Sequence, residues 1–303
     1  MNRLELTAEE NGVRLDKYLT EHSDLSRSRI QTLCEQGAVS VNGKPAKSSL
    51  KLREGDAITA DVPDDEPLDV KPENIPLDIL YEDSDIIVIN KPKGMVVHPA
   101  AGVYSGTLVN ALLYHCTDLS GINGVLRPGI VHRIDKDTTG CIVACKNDQA
   151  HREIARQLEN KTCHREYIAL CDGVIDHDEG LIDAPIGRDP KDRKKMTVIE
   201  TNSKEARTHF TVKERFADYT LVDCRLETGR THQIRVHMKY IRHPVTGDTV
   251  YGSACRLMDT QGQALHAYRL SLIHPGTGEP MTFEAPLPEY FERLLAVLRD
   301  KSL

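Results

Sequence analysis

The chain has 303 residues, 39% hydrophobic and 28% charged, enough for one large domain with a small one, and no run of eighteen apolar residues to span a membrane. Its net charge of −7 excludes a protein that coats nucleic acid indiscriminately, yet the charge is segregated, with net +4 over residues 14–53 and −9 over residues 61–85. The opening MNRLELTAEEN has no apolar signal-peptide core, and the eight cysteines are scattered without a Cys-x-x-Cys pair, so a cytoplasmic protein with buried free thiols is expected.

Leu15, Tyr18 and Leu19 stand at helical spacing, and a second helix capped by Ser26 or Ser28 carries Ile30, Leu33 and Cys34 before Gly37 ends it. Val39 and Val41 alternate as a strand, Asn42-Gly43 marks a tight turn, and residues 57–60 form a further strand. Arg27 and Arg29, with Lys44, Lys47, Lys51 and Arg53 downstream, suit a phosphate-binding face or a merely solvated one. A proline-rich acidic stretch follows, so the expected organisation is a small domain over residues 12–62, a linker over 63–76 and a large domain over 77–303.

Residues 79–81 and 86–89 read as two strands, the second apolar on both faces and therefore central. Lys91, Lys93 and His98 lie in a proline-broken loop that could approach substrate, and Thr107 can cap a helix turning Leu108, Val109, Leu112 and Leu113 inward. Two strand-like runs, 129–131 and 141–145, bracket a dense polar turn, His132-Arg133-Ile134-Asp135-Lys136-Asp137-Thr138-Thr139-Gly140. Asp148 is read as the cap of a helix over residues 149–160 that buries Ile154, Ala155 and Leu158. In the strand at 163–170, Arg165, Tyr167 and Ala169 share one face. Residues 187–195 make a basic loop of net +3, and residues 219–227 another strand. In Thr228-Gly229-Arg230-Thr231-His232-Gln233-Ile234-Arg235-Val236-His237, Gly229 marks the corner into a helix, Thr231 can cap it, and His232 and Arg235 share a face. His232 and His237 lie about 140° apart around that helix, poor geometry for a shared metal, so no metal site is expected. Further strands at 264–272 and 281–285 and a helix at 289–299 complete the chain.

The run R-L-D-K-Y-L, S-R-S-R-I, G-x-V-x-V-N-G-K and G-D is similar to the S4 RNA-binding domain, in which the helix bearing Arg27 and Arg29 faces RNA. The stretches 132–140, 165–170 and 226–237, in that order, resemble the motifs of the RluA-type pseudouridine synthases. With the S4 module and the run INKPKGMVVHP, the resemblance is to the large-ribosomal-subunit synthase D branch and covers residues 12–300. Ile134 in place of a frequent leucine is a mild departure.

The resemblance implies an α+β fold, with the S4-type domain followed by a catalytic domain on a mostly antiparallel mixed sheet flanked by helices. It implies isomerisation of uridine in RNA, expected in large-subunit ribosomal RNA or its assembly intermediates, by a monomer without metal, nucleotide or other cofactor. It assigns Asp135 as the essential carboxylate, Arg235 as its basic partner and Tyr167 as the platform under the base, with Arg133 helping to hold the target out of the stack. His132, Arg230 and His232, with Arg27 and Arg29, are the further residues expected against RNA. The competing readings are an inactive S4-type binder, a kinase suggested by His-Arg-x-Asp, and a glycosidase using Asp135 and Asp137. Intact Asp135, Tyr167 and Arg235 oppose the first, no Asp-Phe-Gly or glycine-rich loop supports the second, and the third needs neither an S4 module nor Arg235.

Overall fold

A computed structural model describes residues 2–23, 25, 27–62, 70–99, 103–122, 127–192 and 194–300. The chain divides into two compact units, residues 1–68 and 69–303. Among the described residues, no helix is long and apolar enough to cross a membrane.

The first unit runs β1 (Asn2–Thr7), α1 (Leu15–Glu21), α2 (Arg27–Glu35), β2 (Val39–Val41), β3 (Lys44–Pro45) and β4 (Ala57–Val62), with the antiparallel sheet ordered β1-β4-β2-β3. Leu15, Leu19, Ile30 and Leu33 are fully buried in its core, in keeping with the helical spacing. β1 precedes the expected span and pairs along all of β4, because alternation in residues 2–7 turns Leu4 and Leu6 onto that core. Ser26 and the side chains of Arg27 and Arg29 lie outside the described residues; the backbone of both arginines is in α2.

The second unit runs β5 (Ile79–Glu82), β6 (Ile86–Lys91), α3 (Leu108–His115), β7 (Thr139–Cys145), α4 (Asp148–Glu159), β8 (His164–Asp172), β9 (Glu179–Asp183), β10 (Ile186–Arg188), β11 (Met196–Val198), β12 (Ser203–Lys204), β13 (Arg207–Arg215), β14 (Tyr219–Leu226), α5 (Gln233–Tyr240), β15 (Leu265–Ile273), β16 (Pro280–Glu284) and α6 (Glu289–Asp300). Its nine-stranded sheet is ordered β5-β6-β7-β15-β8-β14-β13-β9, with β16 on β15. Every pairing in it is antiparallel except β7 with β15, so the architecture is the mostly antiparallel α+β one. Helices cover both faces. Ile87 and Ile89 of β6 join α3 and α5 in one core, while Ile86 and Val88 join α4 on the other side. Each such fully buried aliphatic side chain contributes ~1.5–3 kcal/mol relative to exposure.

Several expectations are corrected. In the stretch expected as linker, residues 63–69 lie outside the described residues, but 70–76 is tied to the second unit. Val70 is buried in its core, Glu73 N–H donates to the Asn110 carbonyl (2.9 Å), and Asn110 Nδ2 donates to the Lys71 carbonyl (2.8 Å). Thr107 does cap α3, in a capping box with Asn110. Asn147, not Asp148, caps α4, its side chain accepting from Ala150 N–H, while Asp148 sits in the first turn. Ala150, His151, Ile154 and Gln157 form the buried stripe of α4, and Ala155 is exposed. Residues 129–131 form no strand, only a bridge between Ile130 and Ala144. The cysteines are free thiols, six of them buried and Cys34 and Cys255 half-buried.

Gly140 occupies the crossing of β7 and β15 at φ +108°, and a Cβ there would collide with the Ala267 carbonyl. Gly140→Ala is therefore expected to destabilise the second unit by about 3 kcal/mol, read as a lowered urea midpoint with an unchanged slope.

Candidate active site

The 132–140 turn leads into β7 and is anchored by Lys91 at the end of β6. Lys91 is fully buried instead of standing in a loop near ligand. Its Nζ donates to the carbonyls of Pro92 (2.7 Å), Met95 (2.9 Å) and Lys136 (2.9 Å). Burial pushes the amine down to about 7, while three carbonyl acceptors call for the three hydrogens that only the ammonium form has. The Gly94 N–H makes a second tie to the Lys136 carbonyl, at 3.0 Å. The residue beside Asp135 is thus clamped to the loop after β6.

The corner after β14 is built by Gln233. Its Oε1 accepts from Arg230 N–H (2.9 Å) and Thr228 Oγ1 (2.8 Å), and its Nε2 donates to the Arg207 carbonyl (2.9 Å). His232, not Thr231, is the N-cap of α5, and it stands in the left-handed region at φ 57°, ψ 23° without a side-chain cap bond. That conformation costs a non-glycine residue about 1–3 kcal/mol. Its imidazole Nδ1 lies 2.7 Å from the Tyr251 hydroxyl, and Nε2 lies 3.8 Å from Asp135 Oδ1. The Tyr251 hydroxyl already accepts Met196 N–H at 2.9 Å. Burial lowers the His232 pKa.

One turn into α5, Arg235 is held between two carboxylates. Its Nε and Nη2 donate to Asp248 Oδ2 (2.6 Å) and Oδ1 (2.9 Å), and Nη1 donates to Asp135 Oδ2 at 2.9 Å. Asp248 is wholly buried and also accepts the N–H groups of Val250 (3.0 Å) and Tyr251 (3.2 Å). The Tyr251 ring lies 5.0 Å from the guanidinium. Two donors spent on Asp248 leave the third aimed at Asp135, so the fork orients the carboxylate. Asp135 Oδ1 accepts no hydrogen bond among the described residues. Burial pulls the Arg235 pKa down, but the hydrogen bonds and charges of Asp248 and Asp135 outweigh it and raise the pKa.

Asp135, Tyr167, Arg235, Arg133, Arg230 and His232 line one cleft. Tyr167, on β8, is 5% exposed, and burial pushes its hydroxyl up to about 12, so it is a neutral phenol in a partly apolar wall. Arg133 is exposed at the cleft, and Arg230 Nε donates to the Glu205 carbonyl (2.8 Å). His132 does not line this cleft. Its Nε2 accepts Val143 N–H (3.1 Å), and the ring borders a neighbouring cavity. Asp192, Lys194 and Lys195 of the basic loop line a further cavity that Asp135 also borders. His237 is committed to Thr208 Oγ1 and the Ala184 carbonyl, both at 2.9 Å. Among the described residues, two His/Cys/carboxylate groupings with metal-like spacing, Glu82-His115-Cys116 and Asp83-Asp85-His274, include none of the cleft residues, and Glu82 and Asp83 already bond His115 and His274.

Sequence reading missed Asp248 and Tyr251, which stand in an irregular stretch without periodicity, and gave no weight to Arg165. Asp248→Ala removes two of the three acceptor oxygens of a buried guanidinium, so a loss of about 3–5 kcal/mol in urea unfolding is expected.

A family model described as RNA pseudouridylate synthase matches residues 85–240, and one described as S4 domain matches residues 13–58. An uncharacterised RNA pseudouridine synthase of Bacillus subtilis (strain 168) is 56% identical, over 99% of this chain and 99% of its own length. A ribosomal large subunit pseudouridine synthase D of Neisseria meningitidis serogroup B is 46% identical, over 98% of this chain and 82% of its own length. Among solved structures, human RNA pseudouridylate synthase domain containing 4 matches with a TM-score of 0.57 and 25% identity, over 73% of this chain and 92% of that one.

Proposed function

The chain belongs to the RNA pseudouridylate synthase family, and we propose that it converts uridines of large-subunit ribosomal RNA to pseudouridine with Asp135 as its catalytic carboxylate. The observation that carries this reading is the Asp135–Arg235 pair in one cleft with Tyr167. In the reaction the C1′–N1 bond breaks, the uracil turns, and C5 bonds to C1′; the C5 hydrogen leaves as a proton and N1 gains one, so nothing is oxidised or reduced. Asp135 Oδ2 is occupied by Arg235, which leaves Oδ1 to act at the sugar, as nucleophile at C1′ or as base toward C2′. Either role needs a lone pair in a fixed direction, and the Asp248-braced guanidinium supplies that direction. Tyr167 offers a ring on which a detached uracil stays while it rotates. Arg133, at the exposed mouth, is suited to fill the space of an extruded base. Arg230 and His232 flank that space, and the S4 unit with Arg27 and Arg29 adds RNA affinity.

Large-subunit ribosomal RNA as substrate is supported by the names of relatives at 42–46% identity, and it agrees with the cytoplasmic residence expected above. Tritium release from RNA labelled at uridine C5 tests the reaction directly. The intact protein is expected to release tritium from large-subunit RNA lacking its pseudouridines. Asp135→Asn is expected to lower release by at least about 10³-fold while leaving RNA affinity within about twofold, since it changes charge and not shape. An active Asn variant would remove Asp135 from the mechanism. A chain lacking residues 1–68 is expected to keep its cooperative melt and bind the same RNA about tenfold more weakly or worse; loss of the melt would overturn the two-unit division.

A further inference from the structure

Next to the Asp135 cleft, and sharing Arg133, Arg165 and Gly229 with it, is a second cavity bordered by Arg127, His98 and His132. Its charge is unbalanced. The side chains of Arg127, Arg133 and Arg165 make no hydrogen bond or ion pair among the described residues, and Glu159, the one carboxylate that those residues place on its wall, is exposed and pairs with none of them. Arg165 is only 9% exposed, and its Nε is buried without a partner. The absence of a side chain at Gly229 makes the space for it, since a Cβ there would meet Arg165 Nη1 at 2.5 Å.

The two imidazoles extend the pattern. His98 is buried, and His98 Nδ1 and His132 Nδ1 both lack partners. Burial, and then the neighbouring guanidiniums, push His98 down to about 4 and His132 down to about 3, so both rings are neutral near pH 7. His132 Nε2 accepts Val143 N–H, which puts the ring's proton on Nδ1 as a donor with no acceptor. A buried, unpaired guanidinium beside an orphan donor is costly in the empty protein. An anion with several acceptor oxygens, seated against the Arg127, Arg133 and Arg165 side chains that line the cavity, relieves the cost of the unmatched guanidinium. A carboxylate of the chain itself would serve equally well, and among the described residues the only one on the wall, Glu159, bonds none of these groups.

We propose that this cavity binds a backbone phosphate of the RNA adjacent to the target uridine, with Arg165 and His132 at its floor and Arg127 at its rim. The assignment rests on the reading of the Asp135 cleft as the uridine site, because Arg133 and Arg165 border both spaces. A phosphate fixed here holds the strand in register while the uracil turns, so the sugar stays beside Asp135 when its base is detached.

Binding of large-subunit RNA lacking its pseudouridines is measured for the intact protein and for Arg127→Gln and Arg165→Gln across a salt series, with thermal melts in parallel. Each variant is expected to bind about tenfold more weakly at low salt, with the slope of log affinity against log salt reduced by about 1 per lost contact. Unchanged affinity and slope in a folded Arg127→Gln protein would overturn the proposal, and that exposed position keeps the test decisive if Arg165→Gln fails to fold. If inorganic phosphate raises the melting temperature while both variants bind RNA normally, the cavity serves a free anion and the backbone assignment falls. Turnover is scored separately. RNA binding with reduced variant slopes but no tritium release refutes the cleft reading alone, whereas release with unchanged slopes refutes the cavity alone.

Discussion

The site depends on one guanidinium shared by two carboxylates. Arg235 spends Nε and Nη2 on buried Asp248 and has Nη1 left for Asp135. A lone Arg–Asp pair at a cleft could swing, because a surface ion pair contributes little and holds no single geometry. Here Asp248 is itself locked by two backbone N–H groups, so the direction of Nη1 is inherited from the backbone after α5. Tyr251 closes the arrangement, with its ring by the guanidinium and its hydroxyl on His232. Asp135 is thereby positioned through Arg235 by two residues, Asp248 and Tyr251, that stand behind it.

Much of this was legible in sequence where periodicity or turn chemistry carries information. The polar turn at 132–140 stands out because β7 is apolar on both faces, and three-residue spacing put His232 and Arg235 on one side of α5. Thr107 announced its helix in the ordinary way. Asp248, Tyr251 and Lys91 were not legible for a common reason. Their importance lies in specific partners that no periodicity points to, and the residues around them carry no repeating pattern. Lys91 read as a loop cation that could approach substrate because its three acceptors are backbone carbonyls, which no sequence displays. Val70 was hidden by the prolines and acids around it, which match a linker in composition although the segment packs on the sheet.

A protein of net charge −7 has to bind an anion by local means. It does so by placing cations where their own carboxylates do not reach. Arg235 is fully matched and rigid, whereas Arg165 is buried and unmatched a short way along the same wall. The first arrangement stabilises the folded chain and orients a reacting group. The second leaves the empty protein less stable than it could be and reserves that free energy for a guest.

The strand order also sets a timetable. The Asp135–Arg235 bond joins residues 100 apart, and the Thr139–His266 bond beside it joins residues 127 apart. The parallel β7–β15 pairing cannot form until residue 265 and its neighbours exist. The first unit, by contrast, closes its sheet within residues 2–62. Contacts of long sequence separation form slowly, and chains fold from the N-terminus during synthesis. A growing chain therefore carries a finished S4 module well before it carries a cleft, so the capacity to hold RNA is in place before the capacity to alter it.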